Sequence, residues 1–278
     1  MKNRQRIPVS AIVLTKNEQE AIGACIRSLH SFDEVFVVDS RSTDDTRQIA
    51  AGLGATVVDF SWDGKYPKKK EWSLRNLPFR NDWVLFVDAD ERPSEALVSS
   101  LHQLLPAGSA QRHAAYDLPV FYRFMGRPLK HGHHVVKRAL VRHADAEFPP
   151  IDDLDVTTMW EVEGHYQPAV HGSVGSLRGG LIHDDPDRLF DYFSRHNRYS
   201  DWEAAVATDP DLRRQVNALR TSQGSLFARL PAKPIAFFVY SYLARAGFLD
   251  GRAGFDYAVA LATYYWQIDL KVREARAR

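Results

Sequence analysis

The chain has 278 residues, enough for one large α/β domain with an appendage or for two small domains. With 45% hydrophobic and 26% charged residues it has a globular composition, and a formal net charge of +1 offers no global field for nucleic acid. The single cysteine, Cys25, excludes an intrachain disulfide and a cysteine zinc cluster and fits a reducing compartment.

Taken in chain order, the basic opening Met-Lys-Asn-Arg-Gln-Arg precedes an apolar run of about seven residues, too short for a signal peptide. No window reaches the roughly 18 uncharged apolar residues of a spanning helix, so the expectation is a cytosolic location. Residues 9–15 form an apolar run of strand length. Residues 17–29 show helical spacing through Ala21, Ile22, Cys25, Ile26 and Leu29. Strands are predicted at 35–38, 56–60 and 84–87, with a polar turn at 40–46 and helices at 46–53 and 67–77. This alternation predicts an α/β fold with a doubly wound, mostly parallel sheet. A helix over 95–105 and a strand over 116–122 follow. Residues 123–182 read as irregular binding loops rich in glycine and histidine. Residues 186–220 are helical and charged, and 226–270 are aromatic and apolar with interspersed Arg and Lys.

The most informative stretch is Trp83-Val84-Leu85-Phe86-Val87-Asp88-Ala89-Asp90-Glu91-Arg92. A buried strand would deliver Asp88 and Asp90 just past its carboxyl end, where open α/β sheets hold ligands. Two hard oxygen donors at this spacing suit Mg²⁺ or Mn²⁺, ions that readily take phosphate oxygens as further ligands. The segment therefore points to a nucleotide-diphosphate site. Glu91 is a third acid group, whose alternative is an ion pair with Arg92. The first strand runs into Thr15-Lys16-Asn17-Glu18 and the second into Asp39-Ser40, followed by Ser42-Thr43-Asp44-Asp45-Thr46. Parallel strands share one carboxyl edge, so these groups should meet Asp88 and Asp90. Asp39 can accept an N–H from a nucleobase, and Thr15 can hold base or ribose. Ser42 or Thr43 is placed to cap the next helix. Of Lys68, Lys69 and Lys70 at least one should face a pyrophosphate, and Lys68 is taken as the donor-binding one.

The ordered set Thr-x-Asn-Glu, Val-Val-Asp-Ser-x-Ser-Thr-Asp-x-Thr and Trp-Val-Leu-Phe-Val-Asp-Ala-Asp-Glu resembles the family 2 inverting glycosyltransferases of GT-A fold. Within them it is similar to the branch that includes lipopolysaccharide-core glucosyltransferases. The resemblance covers roughly residues 7–200. It implies transfer of a sugar from a nucleotide-sugar, a UDP-hexose being favoured, with Mg²⁺ or Mn²⁺ held at Asp88 and Asp90. It implies donor contacts at Thr15, Asn17, Glu18, Asp39 and Asp88. A catalytic base late in the domain falls on Glu161, with Glu163 in reserve, because an inverting displacement must deprotonate the acceptor hydroxyl. His183, after a short apolar strand, matches a C-terminal histidine that many GT-A enzymes use as a metal or diphosphate ligand. Arg138 departs from the branch pattern. His131, His133, His134 and His143 match no zinc spacing and read as loop histidines lining the acceptor cleft. Asn197, Tyr199 and Ser200 resemble a helical Asn-x-Tyr-Ser element and read as packing.

The expected domains are 1–222, the GT-A glycosyltransferase, and 223–278, an aromatic and basic helical segment. There Pro231 and Pro234 would start a helix, and residues 248–255 would form a turn between two. Such a composition suits a membrane surface contacted through residues 226–270. The expected protein is a metal-dependent transferase at the inner face of the cytoplasmic membrane, with a cell-envelope glycan or lipid-linked acceptor. The alternatives are a polyprenyl-phosphate sugar transferase and a non-catalytic glycan- or nucleotide-binding protein.

Overall fold

The structure, a computed structural model, describes residues 6–105, 112–156, 161–163, 166–186, 188–219 and 232–277. Two compact units emerge. The first comprises residues 1–122, 135–149 and 168–186, and the second 123–134, 150–167 and 187–278. The boundary expected at 222/223 and Pro231 lie outside the described residues.

In the first unit, β1 (Ile7–Thr15), α1 (Gln19–Ser28), β2 (Phe32–Asp39), α2 (Thr46–Gly52), β3 (Thr56–Asp59), α3 (Lys69–Asn76) and β4 (Trp83–Asp88) follow the predicted alternation. Strands β3, β2, β1 and β4 lie side by side and parallel. Their burial explains their sequences. Interior strands β1 and β4 are covered on both faces and so read as unbroken apolar runs, whereas β3 closes the edge with its two end residues exposed. Alternate residues of β1 (Ile7, Val9, Ala11, Val13) join Ile22, Cys25 and Ile26 of α1 in the core.

The remaining elements of the sheet are β5 (Glu91–Pro93), β6 (Ala115–Phe124) and β8 (Val136–Arg142), with α4 (Glu95–Leu104) between the first two. The short strands β7 (Arg127–Pro128), β11 (Val174–Ser176) and β12 (Leu181–His183) join it, while β9 (Ala146–Glu147) and β10 (Ala169–Val170) pair antiparallel as a separate two-stranded sheet. β8 runs antiparallel between β4 and β6, β12 runs parallel to β6, and β5 closes antiparallel on β12. The irregular reading of residues 123–182 is corrected here, because β8 is a seven-residue interior strand. Its Lys137 and Arg138 hid it, since both sit inside the sheet only by pairing with carboxylates. Glycine is required just before β12: a Cβ at Gly180 would overlap the Pro119 carbonyl. The bare backbone lets β12 lie against β6 and so delivers His183 to the sheet rim.

The second unit is built mainly from α5 (Leu189–Thr208), α6 (Pro210–Ala218), α7 (Lys233–Phe238) and α8 (Gly251–Ala277). α7 widens into π-type turns over Val239–Ala244, and a 3₁₀ turn spans Gly247–Asp250. The turn expected over 248–255 therefore ends earlier, and residues 251–255 already belong to α8. Lys271 on α8 grips α5 by donating to the Asn197 carbonyl at 2.6 Å, Asn197 Oδ1 at 2.9 Å and Ser200 Oγ at 2.7 Å. Asn197 and Ser200 thus serve helix packing. Among the described residues no helix is long and apolar enough to cross a membrane.

Asp250 ties the 3₁₀ turn to the segment before β8. It accepts the His131 backbone N–H at 2.8 Å and pairs with His131 Nδ1 at 2.9 Å. Burial pushes the Asp250 carboxyl up, but the bonds from His131 outweigh it and hold the group below its ordinary value. A depressed folded-state value adds stability above the unfolded value of about 3.9, which is lost as pH falls through the folded one. Asp250→Asn should therefore destabilise the protein at pH 7 by about 1–3 kcal/mol, with the difference in Tm narrowing near pH 3. Thermal melts of both proteins across pH check this; a gap that stays constant with pH refutes it.

Candidate active site

Strand register assembles one edge of the first unit. Thr15 lies opposite Asp39, Leu14 opposite Asp88, and Asp39 opposite Asp59, all at carboxyl ends of parallel strands. On the far side of the sheet His183 lies opposite both Glu91 and Tyr122.

The loops after β1 and β2 are fastened to each other. Asn17, at φ 58°, adopts the left-handed conformation that asparagine tolerates, and its Oδ1 accepts the Thr43 N–H at 2.9 Å. Its own N–H donates to Ser42 Oγ at 2.8 Å, and Glu18 N–H donates to Thr46 Oγ1 at 2.7 Å. The capping role expected for Ser42 or Thr43 is corrected. Asp44 takes the first N–H groups of both helices, from Thr46 at 3.1 Å and Gln19 at 3.2 Å. Ser42 instead serves Asp39, donating its N–H at 2.8 Å and its hydroxyl at 2.5 Å. Thr15 Oγ1 also donates to Asp39, at 3.0 Å, so the two predicted donor-binding residues bind each other in a fully buried corner.

Lys68 and Lys69 are both buried. Lys69 is joined to this corner, its Nζ donating to the Thr15 carbonyl at 2.7 Å and Ser40 Oγ at 2.6 Å. Spacing alone could not separate the two.

The acidic rim is more differentiated than the sequence suggested. Asp90, His183 and Asp185 offer ligand atoms within 4.8 Å of one another. Asp90 Oδ1 is buried with no hydrogen bond, His183 Nδ1 standing 3.4 Å away. A buried, unsatisfied carboxylate oxygen beside an imidazole and a second carboxylate fits a hard divalent cation. Asp88 is oriented otherwise: its Oδ2 pairs with Lys137 Nζ, which also donates to Glu91 Oε1 at 2.5 Å. Glu91 in turn accepts the Asp88 N–H at 3.1 Å. The Glu91–Arg92 pair offered as an alternative does not form; Arg92 faces Asp184 at 3.4 Å.

The charges follow from these contacts. Burial pushes the Asp88 carboxyl up, but Lys137 and Lys70 outweigh it and hold it well below the carboxylate range. Burial raises Glu91 even against the pull of Lys137, with Asp88 and Asp90 adding to the rise. For Lys137 burial alone would lower the ammonium, yet Asp88 and Glu91 keep it firmly charged. Burial likewise opposes the cationic form of His183, and Asp90 overcomes it, leaving a net rise.

Lys137 and Asp185 were missed by sequence reading. Lys137 stands beside Arg138, which drew notice instead and bonds Asp117 at 3.1 Å and the Pro168 carbonyl at 3.0 Å. Asp185 lies two residues after His183, a spacing that could have flagged it as a ligand partner. In the second unit Glu161 is half-buried and Glu163 buried, while Met159, Trp160, Gly164 and His165 of that motif lie outside the described residues. Of the loop histidines, His131 holds Asp250 and the His133 ring packs 5.1 Å from Phe237. In the first unit the His143 ring packs 5.2 Å from Phe79. A separate hollow of about 760 Å³, lined by residues including Arg6, Arg27, Glu34 and Arg80, opens at the opposite, amino edge of the parallel strands.

Residues 10–147 match the family model described as glycosyl transferase family 2. An uncharacterized glycosyltransferase of Rickettsia typhi is 28% identical over 270 residues, covering 96% of this chain and 87% of the relative. The lipopolysaccharide core biosynthesis glycosyltransferase LpsC of Rhizobium meliloti is 27% identical, covering 98% and 94%. A further uncharacterized glycosyltransferase, from Rickettsia prowazekii, is 37% identical but aligned over only 42% of this chain and 40% of the relative. Among solved structures, a mannosyltransferase of Pyrobaculum calidifontis in complex with GDP-Man and Mn²⁺ has a TM-score of 0.44 at 16% identity, covering 96% of this chain and 87% of its own.

Proposed function

Because residues 10–147 place this chain in glycosyl transferase family 2, making it a glycosyltransferase, we propose that it is a metal-dependent inverting enzyme transferring a hexose from UDP to a cell-envelope glycan or lipid-linked acceptor. The observation that carries the reading is the buried Asp90 Oδ1, without a hydrogen bond and grouped with His183 and Asp185, at the sheet edge that also holds the Thr15–Asp39 corner. The LpsC likeness, extending over nearly the full length of both chains, supports an envelope acceptor.

In this reading Asp90, His183 and Asp185 would hold Mg²⁺ or Mn²⁺, which when bound neutralises charge on the departing nucleoside diphosphate. The Asp39 corner and the fastened loops bearing Asn17 and Glu18 receive the base and ribose. Lys69, and Lys68 next to it, supply positive charge behind them. Glu161 takes the proton from the acceptor hydroxyl. Asp90→Asn should lower turnover on the order of 10²–10³-fold with Mn²⁺ present, measured as transfer or slow donor hydrolysis across a panel of nucleotide-sugars. Full activity of that variant sinks the metal reading.

Glu161→Gln should cost at least about 10²-fold in kcat while leaving donor affinity intact. Unaltered turnover would assign the proton to Glu163, or would favour a polyprenyl-phosphate acceptor that arrives already anionic.

The second unit supports peripheral attachment at the inner face of the cytoplasmic membrane. Ile235, Leu243, Phe248, Leu249 and Trp266 are exposed, and Lys233, Arg245 and Arg252 are spaced among them. A double variant, Ile235→Asp with Leu249→Asp, should reduce sedimentation with anionic vesicles by about fivefold or more, since each buried aliphatic side chain contributes about 1.5–3 kcal/mol. Undiminished sedimentation would remove the membrane from this reading.

A further inference from the structure

We propose that Lys137 is a resident counter-cation that reserves Asp88 and Glu91 for itself, and that it thereby sets how tightly the neighbouring site binds a divalent ion. The inference rests on the reading of Asp90, His183 and Asp185 as that site.

Three observations carry it. The first is register. Leu85 pairs with Leu140 across the antiparallel β4–β8 ladder, and extending that ladder three residues sets Asp88 opposite Lys137. The lysine therefore reaches the rim because of its place in the sheet. The second is saturation. Lys137 Nζ donates to both Asp88 Oδ2 and Glu91 Oε1, while Glu91, only 1% exposed, also accepts the Asp88 N–H. The third is contrast. Asp90, two residues from Asp88 along the chain, has a buried oxygen with no hydrogen bond and is grouped with His183 and Asp185. One lysine thus divides the acidic cluster. One half is held by Lys137, and the other, where Asp90 stands 3.4 Å from His183, is the half that would receive an ion.

This division has two chemical effects. Without Lys137, the buried Glu91 would lose its cationic partner and Asp88 the nearer of its two, Lys70 remaining, and a cation would be drawn in to relieve them. With Lys137 present, a positive charge stands close to the ion site and weakens binding by direct repulsion, so the ion and its nucleotide can leave after turnover. Lys137 is accordingly a positioning residue.

The test is Mn²⁺ binding to the full chain, read by calorimetry and by the Mn²⁺-induced shift in Tm, with no activity assay involved. Lys137→Met should melt several degrees lower in EDTA, yet bind Mn²⁺ on the order of tenfold more tightly. Lys137→Arg, which keeps the charge, should return both readings toward wild type. Asp88→Asn tests the same division without touching the lysine and should retain Mn²⁺ binding within about threefold, whereas Asp185→Asn should weaken it by about tenfold or more. If Lys137→Met binds Mn²⁺ no more tightly than wild type, or if Asp88→Asn loses Mn²⁺ binding, Lys137 does not divide the cluster. If the wild-type protein itself binds no Mn²⁺, the metal reading falls and this inference with it.

Discussion

Negative charge gathered at one rim of a sheet is the constraint on which the first unit is organised. Asp88, Asp90, Glu91 and Asp185 converge there because β4 ends, β5 begins and β12 finishes at the same place. Four carboxylates in a partly buried cluster repel one another, and Glu91 is almost wholly shielded from water. The compensation comes from a strand running the other way. A parallel neighbour of β4 would bring its last residues to this rim, as β1 does. The antiparallel β8 brings its first residues instead, and Lys137 is the second of them. The break from a parallel sheet and the balance of charge at the site are thus one structural solution.

Legibility from sequence followed burial. The parallel half was readable because β1 and β4 are covered on both faces, leaving apolar runs that only buried strands carry, and because the intervening helices repeat at helical spacing. Asp88 and His183 drew attention because each ends a short apolar strand, and Asp90 because it follows Asp88 by two residues. β8 could not be found, because its opening residues are charged and are accommodated by partners far off in sequence. The same reason hid Lys137. No local pattern signals that a lysine will be opposite an aspartate 49 residues earlier. The start of α8 was misplaced because Gly251 and Gly254 read as turn residues. Gly251 does sit at φ 62°, but Gly254 lies inside the helix, where a Cβ would overlap the Gly247 carbonyl.

The second unit obeys a different economy of contacts. Its helices pack through aromatic contacts, with the Phe237 and Tyr265 rings 4.8 Å apart and the His196 and Tyr264 rings 5.5 Å apart, and polar links from Lys271 to Asn197 and Ser200 add to them. Apolar side chains on α7, the 3₁₀ turn and α8 are left facing outward. Phe237, Tyr257 and Ile268 are buried on the inner side, so the outward aliphatic and aromatic groups are a separate set from those that hold the helices together.

The fastening of the loops after β1 and β2 has a kinetic meaning. Asn17, Ser42, Thr43, Asp44 and Thr46 take part in bonds that run from one loop to the other, so the walls of that corner are held by the chain's own groups. Ordering a loop during capture slows association and lowers affinity, and neither penalty applies to backbone already held at both ends. A rigid corner of this kind should discriminate by shape at first encounter, leaving whatever adjustment the reaction requires to other parts of the chain.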